Sequence, residues 1–197
     1  MLDVDGVLVD GRPIDGKRWN SNLEEDLGVA PQVLVDVFFS KQWKEVVAGK
    51  RDLMEALSES LTAASLSVKA EELVSYWFSM DSRIVESVFD DCKAAKKQGV
   101  SVFLATNQEH KRATYLMESM DLRSVVDGIV YSAKAGHQKP HPEFYSYASR
   151  FVGFQPNQLL LVDDIAANIK GAHEAGWEAV LWDGSESLAD ILRRSFK

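Results

Sequence analysis

From residue 83 onward the apolar residues switch repeatedly between two spacings, and this alternation limits the possible folds more than any other feature of the chain. Residues 100–105, 129–131, 158–162 and 179–182 are short apolar runs of strand type. Between and around them, apolar positions recur at helical spacing: Ile84, Val85, Val88, Phe89 and Cys92 before Gly99, then residues 109–120, residues 142–152, and a stretch that stops at Gly176. A last helix is expected to begin near Ser185. Strands alternating with helices of this length predict an α/β fold, a Rossmann-like parallel sheet with helices on both faces.

In such sheets ligands bind beyond the carboxyl ends of the strands. The run 100–105 ends on Thr106-Asn107, and 158–162 ends on Asp163-Asp164. A third polar ending lies at the start of the chain, in Leu2-Asp3-Val4-Asp5-Gly6. In extended backbone, residues two apart project to one side, so Asp3 and Asp5 could face one small volume. Two anions that close repel unless a cation lies between them, which a divalent metal would supply, alone or with a phosphate-bearing substrate. Alone, the stretch reads equally well as an Asx-rich turn. Three polar endings converging on one sheet edge favour a site. Only Met1 and Leu2 precede Asp3, so the strand is expected to be truncated or completed differently, or the natural chain to start upstream.

Residues 15–82 show no inner strand and read as helices. Residues 19–27 end at Gly28, and Pro31 suits a helix start ahead of Val33, Leu34, Val37 and Phe38. Trp43, Val46 and Val47 precede Gly49; Leu53, Leu57 and Leu61 recur at helical spacing; and residues 68–80 carry Leu73, Val74, Trp77 and Phe78. The expected division is therefore a core of residues 1–14 and 83–197 interrupted by a helical insertion at 15–82.

The formal charge of −8 argues against non-specific nucleic-acid binding, which needs a basic footprint. Lys93, Lys96 and Lys97 read as a solvated helix face. No apolar run is long enough for a membrane span, and the N-terminus does not read as a signal peptide. The single cysteine, Cys92, agrees with a reducing, cytoplasmic compartment. Neither glycine-rich nucleotide motif is present, which disfavours ATP-dependent chemistry. His137 and His141 flank Lys139, but Pro140 between them interrupts a shared helix face. These two and His110 are expected in loops near the pocket.

Four motifs in order resemble the haloacid dehalogenase-like (HAD) hydrolases over almost the whole chain: Asp3-Val4-Asp5-Gly6, Thr106 with Asn107, Lys139-Pro140, and Asp163-Asp164 with Asn168 and Gly176 after it. The resemblance makes 15–82 an all-helical cap similar to those of some sugar-phosphate phosphatases. It implies Mg²⁺-dependent phosphomonoester hydrolysis through an aspartyl-phosphate, on a small phosphorylated metabolite such as a sugar phosphate. In that scheme Asp3 is the nucleophile and Asp5 the general acid and base. Thr106 through its hydroxyl, Asn107 through its backbone N–H and Lys139 hold the phosphoryl group, Lys139 also steadying Asp3. Asp3, Asp5, Asp163 and Asp164 are the metal ligands, Asp5 through its backbone carbonyl and Asp163 and Asp164 directly or through water, with either of the two making the inner contact. Asn168 is expected to support the acidic loop. Trp19, Trp43 and Trp77 either line the cap over the substrate or pack its core.

Asp5 favours phosphate-ester hydrolysis over halide displacement, since a departing alkoxide must be protonated and a halide need not. The alternatives are a sugar-phosphate mutase resembling β-phosphoglucomutase and a catalytically impaired HAD-fold binding protein.

Overall fold

The computed structural model describes residues 1–195; residues 196 and 197, the end of the expected core segment, lie outside the described residues. The first helices are short: α1 (Leu23–Leu27), α2 (Pro31–Leu34) with a wider π turn over Val35–Phe39, and α3 (Trp43–Val47). Two full helices follow, α4 (Leu53–Ala63) and α5 (Ala70–Met80). Asp52 caps α4 by accepting from the backbone N–H groups of Met54 and Glu55, which satisfies two donors that a helix start leaves open. The helix expected over 19–27 starts only at Leu23, because Arg18 to Ser21 close a turn of their own through Ser21 Oγ and the Arg18 carbonyl.

Next come α6 (Glu86–Lys97), β1 (Phe103–Thr106), α7 (His110–Thr114) with a π turn over Tyr115–Ser119, β2 (Gly128–Tyr131), and α8 (Ser132–Ala135). The chain ends through α9 (Pro142–Val152), β3 (Leu160–Asp163), α10 (Ala166–Glu174), β4 (Glu178–Leu181) and α11 (Leu188–Ser195). Helix α9 has the expected bounds, with Pro142 in its first turn and Gly153 at its left-handed exit. Other boundaries moved for identifiable reasons. Ile84 and Val85 are not helical: Ile84 bridges Val9 antiparallel, and the Val85 N–H donates to the Leu8 carbonyl. Strand β1 starts at Phe103 because the Val100 N–H closes the end of α6 on Ala95 and the Val102 N–H goes to Asp127.

β1 pairs with β2 and β3 with β4, both parallel, and Leu2 joins the pairs by bridging Leu104 on one side and Val162 on the other. The sheet order is thus β4-β3-Leu2-β1-β2. The central strand is as short as expected, yet its backbone is fully engaged around Asp3: the Leu2 N–H donates to Phe103, the Asp3 N–H to Val162, and the Leu2 carbonyl accepts from Ala105.

Apolar clusters cover the two faces of this sheet. Val88, Cys92, Leu116, Leu122 and Ile191 lie on one, and Phe144, Tyr145, Ala148, Ala172 and Trp177 on the other. The helices of residues 23–80 bury a third cluster of their own around Leu23, Phe38, Leu57, Leu73 and Trp77. Each fully buried aliphatic or aromatic side chain contributes roughly 1.5–3 kcal/mol. Cys92 is buried, and that burial pushes its thiol up to about 12, so it packs as a small apolar side chain. Among the described residues no helix is long and apolar enough to cross a membrane.

Candidate active site

The three polar strand endings meet. Asp3 follows Leu2 at the sheet centre, Thr106 and Asn107 end β1, and Asp163 and Asp164 end β3, so parallel pairing alone delivers all of them to one edge. Lys139 arrives from the loop before α9. Its side chain is 1% exposed, and Nζ lies 3.0 Å from Asp3 Oδ1, 2.5 Å from Asp163 Oδ2 and 2.6 Å from the Ala105 carbonyl oxygen. A buried ammonium needs its donors filled, and here two carboxylates and a carbonyl fill them.

Asn107 holds that lysine from behind: its Nδ2 donates to the Lys139 carbonyl at 3.0 Å, and its Oδ1 accepts from the Lys139 N–H at 2.8 Å. The Asn107 side chain is therefore occupied in positioning Lys139, while the group expected near the phosphoryl is its backbone N–H. Asn168 does the corresponding work for Asp163, with Nδ2 at 2.9 and 3.1 Å from its two oxygens, while the Ile165 N–H adds a bond of 2.9 Å. Asp163 is buried and saturated, and Asp164 beside it is exposed.

Carboxylate oxygens of Asp3, Asp163 and Asp164 lie within 4.8 Å of one another. Burial, before any other cause, pushes the Asp3 carboxyl up to about 7; Asp163 and Asp5 add to the rise and Lys139 opposes it. The Asp164 carboxyl is raised too, first because its surroundings partly exclude water and then by repulsion from Asp163, although the residue as a whole is exposed. One lysine thus leaves this group of acids short of positive charge. Gly6 is required beside them: its φ is +78°, and a Cβ there would lie 2.4 Å from Asp164 Oδ2.

The carboxylate of Asp5 is not in that cluster. Gln108 engages it, donating from Nε2 to Oδ2 at 2.5 Å. Burial raises the Asp5 carboxyl, and Arg112, Gln108 and Lys139 pull it down. Gln108 and Arg112 were not legible as site residues beforehand. The available signal was their place one and five residues after Asn107, on the turn and helix that leave β1. The Arg112 guanidinium is buried and committed to the Phe78 carbonyl at 3.1 Å and to that of Asp81.

Trp19 and Trp43 pack in the aromatic cluster of the helical segment. Trp19 stacks on Trp77 at 5.2 Å, and Trp43 stands 5.5 Å from Trp77 and 5.7 Å from Phe39. Both are half-buried. His137 and His141 are exposed and fall on either side of the Lys139-Pro140 turn, His141 capping α9, and His110 lies edge-on to Tyr131.

A family model described as haloacid dehalogenase-like hydrolase matches residues 1–176. The chain belongs to that family. As a HAD-like hydrolase it is 25% identical over 184 residues to the phosphoglycolate phosphatase of Mannheimia succiniciproducens, spanning 91% of this chain and 82% of that protein. It is 25% identical over 181 residues to the fructose-1-phosphate phosphatase YqaB of Escherichia coli, spanning 91% and 93%. A HAD family enzyme of Bacteroides thetaiotaomicron, solved in complex with magnesium and inorganic phosphate, has the same fold, with a TM-score of 0.78 over 98% of this chain and 97% of that one at 18% identity.

Proposed function

We propose that the protein is a Mg²⁺-dependent phosphomonoesterase that works through an aspartyl-phosphate on a small phosphorylated metabolite, a sugar phosphate before others. The observation that carries this reading is the placement of Lys139 between Asp3 and Asp163, with Asp164 alongside, at the polar edge of a parallel sheet. Its relatives named as phosphatases support the reaction class.

Three hard carboxylate donors, short of counter-charge, match the preference of Mg²⁺ for oxygen. Asp3 and Asp164 would hold the ion with their side chains, Asp5 with its backbone carbonyl, and Asp163, whose oxygens already accept from Lys139, Asn168 and Ile165, through water. When bound it supplies charge neutralisation for the phosphoryl oxygens and for the acids themselves.

The remaining work falls to side chains. Asp3, anionic and aimed by Lys139, attacks phosphorus as the ester oxygen departs. Asp5 gives that oxygen a proton and then takes one from the water that hydrolyses the acyl phosphate. Thr106, buried at the end of β1, and Lys139 hold the transferring group where negative charge accumulates. Residues 15–82 act as a cap. Support for this comes from their docking: Ser132 Oγ donates to the Val47 carbonyl at 2.5 Å, and Gln138 Nε2 to that of Lys44 at 3.2 Å. Trp19 and Trp43 are candidates for the cap wall facing substrate.

The test is phosphate release from a panel of sugar phosphates, nucleotides and phosphoglycolate, with Mg²⁺ and then with chelator. Sugar phosphates should lead, chelation should stop turnover, and Asp3→Asn should lower kcat by at least about 10³-fold while the chain stays folded. Interconversion of sugar-phosphate isomers without net phosphate release would replace hydrolysis by the mutase reading. Metal-independent turnover, or an active Asp3→Asn variant, would defeat the proposal.

A further inference from the structure

Asp3 and Asp5 are two residues apart and held by different chemistry. Asp3 is paired with an ammonium; Asp5 is held by an amide. We propose that Gln108 is a positioning residue for Asp5, fixing which of its carboxyl oxygens is left to face the leaving group. This rests on the phosphomonoesterase reading above.

Gln108 is 4% exposed and immobilised at both ends. Its carbonyl accepts from the Ala133 N–H and from Ser132 Oγ, both at 3.1 Å, and its side-chain Nε2 donates to Asp5 Oδ2. An amide N–H can only donate, so Oδ2 is occupied as an acceptor and Oδ1 is the oxygen left to face the ester. The choice of group also matters. A lysine or arginine in that position would hold Asp5 as the anion, as suits a nucleophile. A neutral amide aims the carboxyl without placing a further charge against it. Arg112 acts on Asp5 through its charge alone, its hydrogen bonds going to the carbonyls of Phe78 and Asp81.

The step served is balanced as follows. An Asp3 oxygen bonds to phosphorus while the bond from phosphorus to the ester oxygen breaks, and the Oδ1 proton of Asp5 moves to that oxygen to give the alcohol. Water then attacks the same phosphorus, its proton passes to Asp5, and inorganic phosphate leaves as the Asp3 carboxylate is restored. The contact also extends outward, because the single Ser132 hydroxyl proton, directed mainly at the Val47 carbonyl at 2.5 Å, is shared with the Gln108 carbonyl at 3.1 Å. Docking of the helical segment and aiming of Asp5 therefore share one hydroxyl.

A weakened general acid has a signature that general damage lacks: poor leaving groups suffer and good ones do not. Gln108→Ala should lower kcat on an alkyl phosphate by about tenfold or more with KM little changed, and on p-nitrophenyl phosphate by less than about threefold. Gln108→Met, which keeps the volume and removes the donor, should show the same selectivity if the alanine variant fails to fold. Equal losses on both esters, or none, would overturn the inference while leaving the phosphatase reading intact. A wild-type protein that released phosphate from neither ester would overturn both.

Discussion

The strand-end site and the core of the helical segment are both buried, but they spend burial in opposite ways. In the helical segment nearly everything inside is apolar, and Leu57, Leu73 and Phe38 are held only by neighbours of suitable shape. At the strand ends, Asp3, Lys139, Asp163 and Asn168 are buried as polar groups, each satisfied by named partners. The first arrangement gains free energy from each side chain it covers. The second costs free energy unless every partner is present, and the upward shift of the Asp3 carboxyl, driven first by burial, follows from that cost. The helical core tolerates substitution by degrees, whereas the strand-end network tolerates almost none.

The largest effect should follow from Lys139→Met, which keeps the volume and removes the charge. Two buried carboxylates would lose their shared partner, so urea denaturation should show a loss of about 3–5 kcal/mol, together with loss of phosphatase activity. A loss under about 1 kcal/mol would mean that the network is not under tension and would break the comparison. Leu57→Ala in the helical core should cost about 2–4 kcal/mol through a cavity. Its kcat, measured well below the unfolding transition, should stay within about twofold of wild type. A much larger fall in kcat would show that the two regions are not separable.

The same contrast explains what could be read before the structure. Parallel pairing sends strand ends to one edge whatever the side chains are, so Thr106 and Asp163 could be placed from hydrophobic runs, whereas Asp3, with only Met1 and Leu2 before it, depended on its match to those two endings. Lys139 has no strand beneath it and was placed only through resemblance. Gln108 and Arg112 stand one and five residues after Asn107, but that nearness does not single them out, because their contacts with Asp5 and with the carbonyls of Phe78 and Asp81 are tertiary. In the helical segment, periodicity located α4 and α5 to within two residues. It could not say which face of Trp19 or Trp43 meets other rings, because an aromatic stripe looks the same whether it covers a core or a ligand. Glycines carried a signal that went unread. Gly49, with φ +70°, sits where a Cβ would come within 2.2 Å of the Ala133 carbonyl oxygen, which makes it a docking point of the helical segment as well as a helix breaker.

Asp81 sits where the two regions meet, at the end of α5 beside Arg112, and gives the finest test. Burial pushes its carboxyl up to about 6, Asp5 adds repulsion, and Arg112 works against both. A carboxyl raised on folding favours the protonated form, so its contribution to stability is best below the unfolded value of 3.8 and is lost as pH rises through about 6. This is the reverse of Asp15, which Arg12 holds down to about 2 and whose contribution is lost as pH falls toward that value. Asp81→Asn should therefore remove one component of the pH dependence between 4 and 6. With the side chain 23% exposed, solvent screening limits the gain at neutral pH to about 1–2 kcal/mol. Urea midpoints at pH 4 and pH 7 measure it. A difference between variant and wild type that is the same at both values would show that Asp81 keeps its charge through folding, and that the boundary between the regions is wetter than the strand-end network behind it.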